Sequence, residues 1–171
     1  MFDRFTKHLR AIGLAIGLAL LTIAPSAHAQ AFSDYLENKL VDYVFRGQAY
    51  SAPATIYVGL STTACSDSST GTEVTGGNYA RVGVASSLAN WAGTQSAGST
   101  TASTGTGGVT SNNNAISFGT VTWSGTVTHW FLSDASTAGN MLFCAALTAS
   151  QAVSSGNTVQ FAAGALTVTL Q

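Results

Sequence analysis

The stretch Ser33–Leu60, SDYLENKLVDYVFRGQAYSAPATIYVGL, predicts one short helix, a sharp exit and the first strand of a sheet. Four apolar residues in its first half recur at the spacing of one helical face: Leu36, Leu40, Val41 and Val44. Ser33 or Asp34 can accept a hydrogen bond from the first free backbone N–H groups of that helix. The stretch therefore begins with an amphipathic helix that has a capped start.

The second half of the stretch ends the helix and begins a strand. Gly47 tolerates the left-handed backbone that closes many helices, and the residue before Pro53 is restricted to extended conformations. Ile56, Val58 and Leu60 then alternate with other residue types, which is the period of a half-buried strand. We expect the helix to pack on the sheet that this strand begins, or to contact another subunit.

The residues before this stretch have the three parts of a secretory signal peptide. Three basic residues lie within the first ten, the apolar run Ala11–Ile23 follows, and a small-x-small cleavage site ends at Ala29. The apolar run is shorter than the roughly 20 residues that span a bilayer. We therefore predict that residues 1–29 are removed by cleavage between Ala29 and Gln30, and that the mature protein keeps no stable membrane span. Export through the Sec pathway would deliver it to the medium, with the periplasm or the cell surface as alternatives.

The mature chain carries few charges. Charged residues make up 8% of the sequence, against about a quarter in ordinary soluble domains. Residues 30–171 contain three cations and six anions, without a basic cluster. No nucleic-acid partner is expected, because binding to phosphates needs clustered Lys and Arg. Low charge with abundant Ser, Thr, Gly and Ala suits an extracellular structural protein that covers part of its surface in an assembly.

The rest of the chain alternates short apolar runs with turn residues. Strand-like runs include Tyr79–Ala85, Ala115–Trp123, Asn140–Leu147 and Ala165–Leu170. Gly93–Asn114 is rich in Ser, Thr, Gly and Asn, so we expect a long low-complexity loop. We predict a mainly β fold for residues 30–171, a single antiparallel β-sandwich or jelly-roll-like domain with one short N-terminal helix.

The chain has two cysteines, Cys65 in a polar loop and Cys144 in an apolar run. An exported protein meets an oxidising environment, where an even number of cysteines tends to pair. We therefore predict a disulfide between Cys65 and Cys144, with two unpaired thiols as the alternative. The bond would close a loop of about 80 residues and contribute roughly 4 kcal/mol on the chain-entropy model.

No constellation of residues in the mature chain predicts catalysis or metal binding. His129 is its only histidine, and no Gly-x-Ser-x-Gly motif frames a nucleophile. One histidine and two cysteines do not complete a four-ligand zinc site, and the acidic loop Ser66–Glu73 lacks the dense Asp pattern of a calcium site. We predict no catalytic residues, no metal, no cofactor and no enzymatic activity.

Aromatic residues are the remaining candidates for a binding site. Trp91, Trp123 and Trp130 could stack on the apolar faces of a surface glycan, as in a carbohydrate-binding adhesin module. The other interpretation is packing in the core or at an interface, which is common for tryptophan. The three residues lie on separate runs, so only a folded structure can align them.

Several segments together resemble a family of small phage virion proteins that are usually described as tail fibre proteins. These segments are Tyr35–Leu60, Gly71–Arg81, Gly139–Phe143 with Ala146–Thr148, and Ala163–Leu170. The resemblance covers nearly the whole chain after the signal and implies a structural, non-catalytic virion subunit. The chain departs from that family in its export signal, in its enlarged Ser/Thr/Gly-rich middle and in its two cysteines.

The two ends of the mature chain are the predicted assembly contacts. The last apolar run alternates along its length, and a terminal strand either pairs inside its own sheet or adds to the edge of a neighbour's sheet. The predicted interface residues come from the helix and from this run: Leu36, Leu40, Val44, Leu166, Val168 and Leu170. We expect a homo-oligomer or filament of this chain. A glycan-binding adhesin module and a donor-strand-type pilin are the alternatives.

Overall fold

The fold is built from antiparallel β-strands and one short helix. The computed structural model describes residues 31–170, so the predicted signal peptide and its cleavage site lie outside the described residues. In chain order the elements are β1 (Ala31–Phe32), α1 (Asp34–Phe45), β2 (Thr55–Ser61), β3 (Val82–Ala85), β4 (Val109–Ser111), β5 (Ile116–Thr120), β6 (Gly125–Ser133), β7 (Met141–Val153), β8 (Thr158–Phe161) and β9 (Thr167–Thr169). The prediction of a mainly β fold with one N-terminal helix is confirmed.

The strands form one large sheet and two ribbons. The large sheet has the strand order β1-β7-β6-β2-β3, while β4 pairs with β9 and β5 pairs with β8. Each of these pairings is antiparallel. One core cluster contains side chains from the large sheet and from both ribbons. The large sheet and both ribbons therefore share one hydrophobic core.

The strand register places apolar side chains of the three central strands on one face of the large sheet. Val58 pairs with Leu132, and Leu60 pairs with Trp130, which in turn pairs with Ala145 on β7. Paired residues of adjacent strands point to the same side of a sheet. All five residues are buried, so this face carries the core.

The opposite face of the sheet is organised around Phe131, which is fully buried. Gly59 lies across from Phe131 on β2, and Cys144 lies across from it on β7. The predicted disulfide joins Cys144 to Cys65, with the two Cα atoms 6.4 Å apart. The guanidinium carbon of Arg81 lies 4.9 Å from the centre of the Phe131 ring. The segment between β2 and β3 therefore covers this second face.

Gly59→Ala is expected to lower the free energy of unfolding by about 2 kcal/mol. A Cβ atom at Gly59 would lie 2.1 Å from the Cζ atom of Phe131, so the ring would have to leave its place in a packed face. Gly125→Ala, at the start of β6, is the matched control, because a Cβ atom there meets no described atom within 4 Å. Urea unfolding followed by tryptophan fluorescence measures both variants, and equal midpoints would contradict the prediction.

Helix α1 is anchored to the sheet through its first turn. Ser33 caps it, since the Ser33 Oγ accepts a hydrogen bond from the Leu36 N–H at 3.2 Å. The Ser33 N–H donates to the Leu142 carbonyl at 3.1 Å, and the Asp34 N–H donates to the Asp67 carbonyl at 2.9 Å. Of the two capping residues predicted from the sequence, Ser33 and Asp34, Ser33 is the one that caps the helix. These hydrogen bonds attach the first turn of α1 to Leu142 on β7 and to the loop that contains Asp67.

The predicted loop Gly93–Asn114 has more structure than its composition indicated. Its last part contains β4, which pairs with β9. In the exposed part, the Gln95 Nε2 donates to the hydroxyls of Ser99 and Thr101, and the Gln95 Oε1 accepts from the Thr104 N–H at 3.0 Å. One glutamine amide therefore orders a run of small polar residues that has little apolar surface to bury.

The last strand faces the core of its own subunit. Leu166 is 1% exposed and Val168 is 6% exposed, so both are core residues and do not fit the predicted assembly interface. The physical reason is that both side chains belong to the core cluster that includes residues of the large sheet. The backbone is held there by pairing with β4 through Thr110 and Val168 and by the Leu166 N–H, which donates to the Asn112 Oδ1 at 2.8 Å. Leu170 is 51% exposed and stays on the surface.

Candidate functional site

An apolar groove lies beside α1. It has a volume of about 560 Å³ and is lined by residues of α1, of the large sheet, of the β4–β9 ribbon, of segments 50–53 and 86–93, and by Ser103. Its lining includes Phe32, Leu36, Tyr50, Ile56, Leu88 and Trp91. Among the residues that the structure describes, none of those lining the groove is charged. The groove is therefore suited to an apolar side chain rather than to a charged ligand.

The outer face of α1 is a second apolar surface. Val41, Val44 and Phe45 are 48%, 62% and 80% exposed, and their spacing places them on one side of the helix. Leu36 and Leu40 are half-buried. Within residues 31–170, α1 has no fully buried residue. Of the single apolar stripe predicted from the sequence, Leu36 and Leu40 are therefore partly covered by the subunit, whereas Val41 and Val44 are exposed to solvent.

Phe45 belongs to this outer face but is not among the interface residues predicted from the sequence. It is the most exposed of the large apolar residues in the described part of the chain. Its spacing was a usable signal, because it follows Val41 by four residues and therefore lies on the same side of the helix. Among the residues predicted for assembly on α1, Val44 is exposed beside it.

The three tryptophans do not form an exposed platform for a glycan. Trp123 and Trp130 are 6% and 4% exposed, and the ring centre of Trp130 lies 5.3 Å from that of Phe143. Trp91 is half-buried and lines the groove. Core packing therefore accounts for two of the three residues, and their side chains are not available to stack on a sugar.

A largely buried ion pair lies just before β3. The side chains of Arg81 and Glu73 are 8% and 25% exposed. The Arg81 Nε and Nη2 donate to the two carboxylate oxygens of Glu73, both at 2.8 Å, in a bidentate arrangement. The Arg81 Nη1 donates to the Ser133 Oγ and to the carbonyls of Ala135 and Ala138. One guanidinium thus ties the turn between β6 and β7 to the segment that precedes β3.

Tyr79 completes this cluster. Its hydroxyl donates to the Glu73 Oε1 at 3.0 Å and accepts from the Leu60 N–H at 2.9 Å. Burial raises the pKa of Tyr79 well above its usual value, so the hydroxyl keeps the proton that it donates. The hydrogen bond to Glu73 raises the pKa of Arg81. These polar groups therefore bind one another and join Leu60 on β2 to the segment that precedes β3.

Residues 31–170 were also compared with the requirements of a membrane-spanning helix and of a metal site. No helix there has both the length and the apolar character needed to cross a membrane. No three or more His, Cys, Asp or Glu side chains of this region are grouped so as to hold a metal ion. The groove and the outer face of α1 are the candidate site of the described domain, because both present apolar side chains at the surface.

Comparison with known protein families identifies the kind of protein. A family model described as Podophage GP4 fiber I protein gp80 matches residues 31–169. The chain belongs to this family. No curated protein matches the chain. The resemblance to phage tail fibre proteins that the sequence suggested is therefore confirmed.

Membership in the fiber I family makes the described domain a structural protein of phage-fibre type. The match begins at the first residue of β1 and ends at the last residue of β9. It therefore includes the groove, the helix and the ion pair, which are features of the fibre domain itself. Residues 1–29, which the sequence predicts to be a signal peptide, lie before the match.

Proposed function

We propose that this chain is an exported structural subunit of the fiber I type, which assembles with further copies of itself into an extracellular filament or surface structure. The observation that carries the proposal is the outer face of α1. Val41, Val44 and Phe45 remain about half or more exposed on a helix of 12 residues, a length that is marginal in water without packing. Clustered apolar residues on a surface are typical of interaction sites.

The disulfide supports the export part of the proposal. Bonds such as Cys65–Cys144 persist in oxidising compartments and are rare in the cytosol. A signal peptide at residues 1–29 would bring the chain to such a compartment. A virion protein that assembles in the cytoplasm would need neither feature. We therefore place the protein outside the cytoplasm, in the medium, the periplasm or on the cell surface.

The proposed subunit is not an enzyme and uses no cofactor. This follows the structural character of its family and the ion-pair cluster, whose polar groups bind one another. A glycan ligand is not part of the proposal, because Trp123 and Trp130 are buried. Leu170, directly after the matched residues, is proposed as a further assembly contact because it is an exposed apolar residue.

Bacterial expression of the full-length chain should release a protein that begins at Gln30 and has the mass of several subunits. Intact-mass spectrometry defines the N-terminus, and size-exclusion chromatography with light scattering gives the mass. Negative-stain microscopy then shows whether the assembly is a filament. Cytoplasmic protein that retains Met1 would contradict export. A protein that stays monomeric at high concentration would contradict self-assembly, and glycan binding by that monomer would favour the adhesin alternative.

A further inference from the structure

We propose that the groove beside α1 binds a neutral single-chain amphiphile, a molecule in which one alkyl chain carries a small uncharged head with hydroxyl groups. A monoacylglycerol has this chemistry. The groove offers such a molecule an apolar floor that crosses four strands, a rim of hydroxyl groups and a described lining without charge. The site lies within one subunit, so it goes beyond the proposed assembly and does not depend on it.

The floor of the groove is a row of apolar side chains across the large sheet. Phe32 on β1 pairs with Phe143 on β7, and Phe143 pairs with Leu132 on β6; all three line the groove. Ile56 on β2 continues the row, because it lies two residues before Val58, the partner of Leu132, and points to the same side of the sheet. Neighbouring strands are about 4.8 Å apart, so a row across four of them is roughly 14 Å long. A floor of this length suits an extended alkyl chain.

The groove is continuous with the hydrophobic core of the subunit. Leu132, Phe143 and Val168 line it, and all three belong to the core cluster. The volume of about 560 Å³ lies within the range of about 300 to 1,000 Å³ that is usual for small-molecule sites. An alkyl chain in the groove would therefore extend the core, and each CH₂ group that it buries should tighten binding about fourfold.

Hydroxyl groups form the rim of the groove. Ser86, Ser87 and Ser103 line it and are exposed, and Tyr50 is half-buried beside them. A hydroxyl can both donate and accept a hydrogen bond, so this rim can bind the hydroxyl groups of the head. A charged head would meet no opposite charge among the described lining residues, and a charge next to an apolar floor is unfavourable. The lining therefore favours a neutral head at the rim and the alkyl chain along the floor.

Monoacylglycerols of increasing chain length should bind the secreted protein with one molecule per subunit, at concentrations below those at which they form micelles. The affinity should increase about fourfold with each added CH₂ group until the chain is as long as the floor, and it should then stop increasing. Isothermal titration calorimetry measures the affinity and the stoichiometry. The absence of saturable binding at every chain length overturns the proposal, as does an affinity that keeps increasing for chains longer than the floor.

Leu88→Asp should weaken this binding at least about tenfold, because it removes an apolar contact and adds a charge beside the alkyl chain. Leu88 lines the groove and is 53% exposed, so circular dichroism should show an unchanged fold. Leu170→Asp is the matched control, since Leu170 is 51% exposed and lies outside the lining of the groove. Equal affinities of the two variants would place the ligand elsewhere and overturn the proposal.

Tryptophan fluorescence tests the position of the chain. Trp91 lines the groove, whereas Trp123 and Trp130 are buried in the core. A monoacylglycerol with bromine atoms on its alkyl chain should quench the fluorescence of the wild type. Trp91→Phe should lose the larger part of this quenching while calorimetry still shows binding. Undiminished quenching in Trp91→Phe would mean that the chain does not lie in the groove.

An alkyl sulfate of the same chain length tests the neutral head. It carries a charge that the described lining residues do not balance, so it should bind at least about tenfold more weakly than the monoacylglycerol. Calorimetry under the same conditions measures both affinities. An alkyl sulfate that binds as tightly as the monoacylglycerol overturns the assignment of a neutral ligand.

Discussion

Arg81→Met should lower the free energy of unfolding by about 3 kcal/mol, because it leaves the carboxylate of Glu73, whose side chain is 25% exposed, without its cation in a largely buried ion pair. Glu73 would lose both of its 2.8 Å hydrogen bonds to the guanidinium. The carbonyls of Ala135 and Ala138 would lose their donor as well. Urea unfolding at low protein concentration, followed by tryptophan fluorescence, measures the change.

Two further variants separate this burial effect from a general effect of charge. Arg46→Ala breaks an exposed ion pair with Asp42 and should cost no more than about 0.5 kcal/mol. The double variant Arg81→Met with Glu73→Leu should be more stable than Arg81→Met alone, since no unpaired charge remains. A loss below about 1 kcal/mol in Arg81→Met would contradict the role that we assign to the cluster.

This cluster lies in the segment Gly71–Arg81, one of the segments that resemble phage tail fibre proteins. Glu73, Tyr79 and Arg81 fall within it, and their hydrogen bonds connect the edge of β2 with the turn after β6. The guanidinium lies over Phe131, so the same cluster closes the second face of the sheet. Destabilising it should therefore loosen the whole segment between β2 and β3.

Loss of the disulfide should lower the free energy of unfolding by roughly 4 kcal/mol, the second of the two largest effects that we expect. Cys65 and Cys144 are 79 residues apart in the chain, and a bond across so long a loop removes much conformational freedom from the unfolded state. The double variant with serine at both positions should show the full loss in urea unfolding. An unchanged midpoint would contradict the stabilising role.

A reductant supplies the matched control for this variant. Dithiothreitol should lower the midpoint of the wild type towards that of the double serine variant, and it should leave the variant unchanged. Because the carbonyl of Asp67 accepts from the Asp34 N–H, the disulfide-bonded loop also supports the start of α1. We therefore expect the reduced wild type to associate more weakly than the oxidised protein at concentrations where both remain folded.

The local pattern of residues was enough to predict the elements and their class. The spacing of Leu36 and Leu40, with Ser33 before them, predicted the helix, because capping and a 3.6-residue period are properties of the chain itself. The alternation of Ile56, Val58 and Leu60 predicted β2 for the same reason. With only two cysteines in the chain, the sequence also specified which residues would pair in a disulfide.

Tertiary structure alone decided which apolar faces are covered. A period of two or of 3.6 residues shows which side chains share a face, but it does not show what lies against that face. Val168 is buried because β4 and the large sheet pack around β9, whereas Phe45 is exposed because α1 contacts its own subunit mainly near its first turns. The same holds for Arg81, one of the three cations in residues 30–171. Its side chain is only 8% exposed, because strand register places Gly59 beside Phe131 and leaves the ring open to the guanidinium above it.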